Sequence, residues 1–132
     1  MNKTQLLATL YEMRTNAQYQ TAETLRRKSS VADMAKADRN SLEFGAINLL
    51  INTWETISIL VLEIKDKDSI FEILPVLYMF TELSDAIDII SCKFPAYAAN
   101  FRLLSKQQLE WLKFKDERYQ TGEKSGMHAL FG

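Results

Sequence analysis

The spacing of apolar positions along the chain is its strongest structural signal, and a period of three to four residues predicts helices. The clearest stripe lies in the middle of the chain, where Ser41 fits the N-cap position of a helix. Four further positions are apolar outside this stripe, which predicts a helix covered on more than one side: Leu49, Ile59, Leu60 and Leu62. The stripe itself comprises Ile47, Leu50, Ile51, Trp54, Ile57, Ser58, Val61 and Ile64.

The N-terminal part of the chain predicts one long helix that begins near Asn2 or Thr4 and ends near Lys28. Its apolar stripe is thin, so its second half is expected to face solvent or a partner. Residues 29–41 are small or charged and have weak periodicity. They are interpreted as a connector with room for one helical turn.

Two further helices are predicted in the second half of the chain. Ser69 and Glu72 have the spacing of a capping box, which predicts a helix start, while Pro75 should kink this helix or move its start. Pro95 suits the first position of a last helix. Ser105 with Gln108 could form another capping box, which would break that last helix in two.

These elements predict an all-α fold, an irregular three- to four-helix bundle that oligomerisation would complete. Only 4 Gly and 2 Pro in 132 residues argue against the many tight turns of a sandwich or barrel. The length suits a single core. We expect one helical domain over residues 1–121 and a C-terminal tail over residues 122–132, because Gly122 is a typical residue at the C-terminal end of a helix.

Charge is unevenly distributed although the net charge is only −1. Residues 1–41 carry a net charge of +3, residues 42–92 of −7 and residues 93–132 of +3. This pattern predicts complementary packing, within one chain or between copies, and offers no strong basic field to a nucleic acid. Together with the surplus apolar surface it predicts a homo-oligomer.

The two most apolar segments, residues 42–64 and 70–92, each contain several carboxylates. One ionised carboxylate at the bilayer centre costs roughly 2.5–3.5 kcal/mol, so neither segment is expected to span a membrane. Residues 1–10 lack an apolar run of signal-peptide length. The expected location is the cytoplasm.

Asn48, Asn52 and Glu55 recur at helical spacing on the central helix, next to Trp54. Glu55 could act as a general base or an oxygen ligand with Asn52 orienting it, and the four residues could line a pocket or an interface. The alternative is a hydrogen-bonded polar stripe between helices, which buried polar groups need for stability alone. The structural alternative is favoured.

The main basic cluster is Arg26, Arg27 and Lys28. It could contact phosphates, although basic residues often end helices because the helix dipole favours them there. Cys92 and His128 suggest no nucleophile or metal site, and the chain has no phosphate-binding glycine motif. We therefore predict no catalytic residues, no metal and no cofactor.

The segment Ile51-Asn52-Thr53-Trp54-Glu55-Thr56-Ile57-Ser58 resembles the Asn-x-aromatic-Glu helix of an uncharacterised family of small helical domains. That family occurs in bacteria and in their phages or mobile elements. In it an acidic turn and another helix follow the motif, and residues 66–71 would occupy that turn here. The resemblance implies a small helical fold and such an origin, and it implies no activity.

The leading functional hypothesis is a non-enzymatic helical module that binds a host protein or a second copy of itself, as accessory proteins of phages and mobile elements do. One alternative is a small-ligand binder or enzyme that uses an interhelical pocket of Asn, Glu and Trp. A second alternative is weak nucleic-acid binding through the basic terminal segments.

Overall fold

A computed structural model describes residues 1–118, which form seven helices and no strand. The all-α class is therefore confirmed, and the predicted tail over residues 122–132 lies outside the described residues. α4 is the central element, because α1, α2, α3, α6 and α7 all pack against it. The helices are α1 (Lys3–Thr15), α2 (Ala17–Arg27), α3 (Val31–Lys36), α4 (Leu42–Leu62), α5 (Asp68–Phe71), α6 (Val76–Ser91) and α7 (Ala99–Arg118).

The predicted first helix is divided in two at Asn16, so the expectation of one helix to Lys28 is wrong. Asn16 has extended backbone angles and is both the C-cap of α1 and the N-cap of α2. Its side-chain Nδ2 donates to the Met13 carbonyl at 3.1 Å, and its side-chain oxygen accepts from the Tyr19 N–H at 2.9 Å. Asn therefore satisfies both helix ends at once, in competition with the backbone bonds of a continuous helix.

The expected connector over residues 29–41 contains α3. Ser30 caps this helix through the Asp33 N–H, and Met34 and Ala35 are buried against the core. α3 packs on both α4 and α6. Two buried side chains are too few to give a periodic signal, which explains why the sequence indicated no more than a helical turn.

α4 begins where the sequence predicted, with Ser41 accepting from the Phe44 N–H at 3.1 Å. Seven of the eight residues of its predicted stripe are buried, and Ile64 follows the helix end. Within residues 1–118, α4 is the one helix long and apolar enough to cross a membrane by length and composition alone. Core helices of soluble proteins meet the same criterion, so this is weak evidence for a membrane span.

The Ser69–Glu72 capping box does not form, because α5 begins at Asp68 and ends before Glu72. Pro75 moves the start of the next helix, as one of the two predicted outcomes, and α6 begins at Val76. The side chain of Gln108, which is 5% exposed, bonds the backbone around this break. It donates to the carbonyls of Phe71 and Leu74 and accepts from the Leu77 N–H.

α7 starts at Ala99 rather than at Pro95 and runs unbroken through Ser105. The Ser105 hydroxyl donates to the Arg102 carbonyl within the helix instead of capping a new one. Ala98, immediately before the helix, has φ of 58° and is buried. A left-handed alanine costs roughly 1–2 kcal/mol, so the entry into α7 needs support from outside the helix.

Candidate functional site

Asn48, Asn52 and Glu55 share one face of α4 while Trp54 lies on another, and the four candidate residues do not form one pocket. Trp54 is 1% exposed, stacks on Phe101 with ring centroids 5.7 Å apart and donates its indole N–H to the Tyr19 hydroxyl at 3.0 Å. Asn52 is exposed. Asn48 bonds Tyr97, in the segment before α7, and Glu55 bonds the first turn of α7 itself.

Glu55 supports the beginning of α7. Its carboxylate accepts from the Phe101 backbone N–H at 2.9 Å and from Asn100 Nδ2 at 2.7 Å. Phe101 is in the first turn of α7, where backbone N–H groups have no partner within the helix. These two bonds give Glu55 a structural role, and no cavity described below is lined by it.

Asn48 lies in a cleft of about 510 Å³ between α3, α4, the end of α6 and the segment before α7. We name it the Arg39 cleft. Asn48 Oδ1 accepts from the Tyr97 hydroxyl at 2.8 Å, and burial raises the pKa of Tyr97 to about 12. The Arg39 guanidinium lies over the rings of Phe44 and Phe94, 5.9 and 5.6 Å from their centroids. Lys36 and Lys93 also line the cleft.

The predicted basic cluster at the end of α2 is partly neutralised. Arg26 donates two hydrogen bonds to Glu23 Oε2, at 2.8 and 3.0 Å, and Arg27 Nε lies 3.5 Å from the same oxygen. Burial lowers the pKa of Arg26, but the hydrogen bonds to the Glu23 carboxylate and its negative charge have the larger combined effect, so the pKa of Arg26 is raised. Lys28 is the exposed C-cap of α2.

A second cavity, of about 500 Å³, lies between α1, α2, α4 and the start of α6. We name it the Arg14 cavity, after one of the three residues that α1 contributes to it. The Arg14 guanidinium lies over the Trp54 ring, 5.8 Å from its centroid. Tyr19 also lines this cavity, and burial raises the pKa of Tyr19 against the opposing effect of its bond to Trp54.

Two residues that line the Arg14 cavity each have a buried polar atom without a hydrogen-bond partner within residues 1–118, namely Arg14 Nε and Glu23 Oε1. The Glu23 side chain is only 7% exposed. Buried atoms of this kind are rare in native proteins because each costs roughly 1–3 kcal/mol. Sequence reasoning missed Arg14, Tyr19 and Glu23, and only the helical spacing of Glu23 and Arg26 could have pointed to them.

An uncharged groove runs between α2 and the first half of α4, and we name it the α2–α4 groove. It has a volume of about 460 Å³ and is lined by ten residues, none of them charged. Leu42 is 83% exposed at its edge, and a Cβ added at Gly45 would meet no atom within 4 Å. Its floor contains Ala17, Ala22, Gly45 and Ala46, with Leu25 and Leu49 beside them.

Within residues 1–118 no group of His, Cys, Asp and Glu side chains is arranged to hold a metal ion. No family model, no curated protein and no solved structure matches this chain. The function is therefore argued from the surfaces just described.

Proposed function

We propose that the chain is a non-enzymatic helical interaction module of the cytoplasm and that two copies associate through the α2–α4 groove. The observation that carries this proposal is the pairing of a protruding Leu42 with a hollow at Gly45 in one uncharged groove. The resemblance of residues 51–58 to the Asn-x-aromatic-Glu helix supports an origin among bacteria and their phages or mobile elements.

The protruding side chain favours burial. Leu42 stands 83% exposed on the first residue of α4, and burying a leucine side chain is worth roughly 2 kcal/mol. No charge within the groove would have to be desolvated when a partner covers it. A partner of apolar surface therefore fits this groove better than a charged one.

The groove is also self-complementary. Gly45 lies one turn after Leu42 on α4, so a protrusion and a hollow are neighbours on the same surface. In a two-fold arrangement each copy presents the same patch, so the Leu42 of either copy can enter the Gly45 hollow of the other. Small side chains let two helix backbones approach closely, as Ala22 and Ala46 would permit here.

Light scattering coupled to size exclusion tests the proposal on the full chain. We expect wild type to have twice the chain mass of 15.2 kDa and Leu42→Glu to have the mass of a single chain. Gly45→Gln should also give a single chain while keeping or raising the melting temperature, because helix interiors favour glutamine over glycine by roughly 0.5–1 kcal/mol.

Leu103→Glu is the matched control, since Leu103 is 48% exposed on α7 and lines no cavity described above. It should leave the mass unchanged. A wild-type monomer that stays monomeric at high concentration would refute self-association and leave the groove to a heterologous partner. Equal effects of Leu42→Glu and Leu103→Glu would place the contact elsewhere.

A further inference from the structure

The Arg39 cleft contains three cationic side chains that no carboxylate within residues 1–118 neutralises. Lys36, Arg39 and Lys93 line it, and none of them forms an ion pair in the described part of the chain. The neighbouring carboxylate of Asp38 does not line the cleft and accepts from the Asn40 N–H. All three cations are exposed, so a ligand in the cleft can reach them. In a chain of net charge −1, they create a local positive potential that favours an anion.

Arg39 is positioned by aromatic rings and keeps its hydrogen-bond donors free. Its guanidinium carbon lies 5.9 Å from the ring centroid of Phe44 and 5.6 Å from that of Phe94. It makes no hydrogen bond within residues 1–118. A guanidinium presents its N–H donors in a fixed fork that matches the oxygens of a carboxylate or phosphate. An anionic group bonded to Arg39 would therefore have both rings beside it.

The surface next to these rings is apolar. Ile89 and Ile90 of α6 and Ala35 of α3 line the same cleft. Phe94 is 49% exposed and Ile89 is half-buried, so a hydrocarbon body in the cleft would cover apolar surface that now contacts water. The volume of about 510 Å³ is within the range of sites that hold small ligands.

Asn48 adds a neutral donor to the cleft. Its Oδ1 accepts from the Tyr97 hydroxyl at 2.8 Å, and its Nδ2 has no partner within residues 1–118. Solvent reaches Nδ2, because this atom is not among the buried unpartnered atoms of the described chain. An amide N–H attracts an anion in the cleft, whereas a carboxylate at the same position would repel it. Asn48 therefore offers a test by a change of charge with little change of shape.

We propose that the Arg39 cleft binds a small amphiphilic anion, with one carboxylate or phosphate head on a hydrocarbon body. The head accepts from Arg39 in the field of Lys36 and Lys93, and the body covers Phe44 and Phe94. Free fatty acids and alkyl phosphates share this chemistry. The cleft has no lining residue in common with the α2–α4 groove, so the site goes beyond self-association and is tested separately from it.

The test is calorimetric titration of the full chain with octanoate, octyl phosphate and octanol. Binding of either anion with 1:1 stoichiometry supports the proposal, and the tighter one identifies the head. Octanol has the same body without the charge and should bind about tenfold or more weakly, as expected for the loss of a charge-assisted bond. Acetate and inorganic phosphate lack the body and should give no saturable heat at the same concentrations.

Variants locate the binding site. Arg39→Gln should weaken the anion about tenfold and leave octanol unchanged. Asn48→Asp keeps an acceptor for Tyr97 but adds a negative charge, so anion binding should decrease at least as much. Circular dichroism checks that each variant folds, and the exposed position of Arg39 keeps the test decisive if Asn48→Asp does not fold.

A further pair of lysine variants separates the cleft from general surface charge. Lys93→Gln should weaken the anion severalfold. Lys106→Gln is the matched control, because Lys106 is exposed on α7 and lines none of the three cavities named above. It removes the same charge and should bind as wild type does.

Three results would overturn the proposal. One is the absence of saturable heat and of any melting shift with both octyl anions at millimolar concentration. Another is equal affinity for the anions and octanol, or for octyl phosphate and inorganic phosphate, which would mean that the head or the body is not recognised. The third is an equal loss in Arg39→Gln and Lys106→Gln, which would attribute binding to the overall charge of the protein.

Discussion

Glu55 holds the first turn of α7 from the neighbouring helix α4. Its carboxylate accepts a hydrogen bond from the Phe101 N–H, which the side chain of an N-cap residue would otherwise accept. The left-handed Ala98 lies just before this turn. Removal of a capping side chain costs about 1–2 kcal/mol. We expect Glu55→Ala to lower the free energy of unfolding by about 2 kcal/mol, because the Asn100 bond is lost as well. Urea denaturation followed by circular dichroism measures this.

Asn52→Ala is the control for that measurement, because Asn52 is exposed on the same helix less than one turn away. A surface change of this kind should stay within about 0.5 kcal/mol. An unchanged urea midpoint in Glu55→Ala would show that the cap contributes nothing. Loss of a biochemical activity without loss of stability would instead restore the general-base hypothesis.

Tyr97 makes the stability of the protein depend on alkaline pH. Burial raises its pKa from 10.0 to about 12, so the folded chain retains a proton that the unfolded chain loses. The stabilisation is complete below pH 10 and decreases as pH rises from about 10 to about 12. Tyr97→Phe should melt lower than wild type at pH 9, because its bond to Asn48 is lost.

The same variant should lose less stability than wild type between pH 9 and pH 11.5, so the melting temperatures of the two proteins approach each other. Some pH dependence will remain, since the pKa values of Tyr19 and Tyr78 are raised too, by burial and by a hydrogen bond with Glu82 respectively. Melting temperatures measured at the two pH values test this. Equal decreases in wild type and in Tyr97→Phe would show that Tyr97 does not cause the pH dependence.

At the scale of elements, Gln108 joins α7 to the break between α5 and α6. It bonds the backbone at three residues that Pro75 and the helix ends leave without regular partners. Gln108→Leu removes all three bonds in a buried position, and we expect a loss of about 3 kcal/mol of unfolding free energy. Chemical denaturation with a matched Gln107→Leu variant, at a half-exposed position, measures it.

A comparable small loss in both glutamine variants would mean that water replaces the Gln108 bonds without penalty. If Gln108→Leu alone unfolds more easily, the α5–α6 break depends on α7. Hydrogen exchange at the Leu77 amide gives a local readout, since that N–H donates to Gln108.

How well the sequence predicted each element depended on how much of it is buried. The apolar stripe of α4 was predicted because its seven buried residues recur with the helical period, and Ser41 was recognised as the cap before them. The break at Asn16 was missed, because a residue that caps two helices has no periodic signature. The Ser69 box failed because α5 begins one residue earlier, at Asp68, and ends before Glu72, whose carboxylate accepts from Lys115 of α7 instead.

The candidate sites show the same division. The helical spacing of Asn48 and Glu55 pointed to polar contacts between helices. Glu55 makes such contacts to the first turn of α7, and Asn48 bonds Tyr97 just before that helix. The Arg14 cavity was beyond sequence reasoning, because Arg14 and Glu23 line the same cavity only after the chain bends at Asn16. Tertiary geometry of that kind has no counterpart in a linear pattern.

At the scale of the whole molecule, some of the unevenly distributed charges form ion pairs within the chain. The acidic segment 42–92 contacts the basic one that follows it through Asp88 with Arg102 at 3.8 Å and Glu72 with Lys115 at 2.9 Å. Both pairs are solvent-accessible, so each contributes less than about 1 kcal/mol. They therefore orient α7 on its neighbours, while the core around α4 supplies most of the stability.

The single-residue joint at Asn16 has a mechanical consequence. It divides the N-terminal region into two stiff rods, and Arg14 and Glu23 lie on opposite sides of the joint. The angle between the rods sets the gap between these two side chains. A change in that angle would therefore alter the shape of the Arg14 cavity, and detachment of α1 would remove one of its walls.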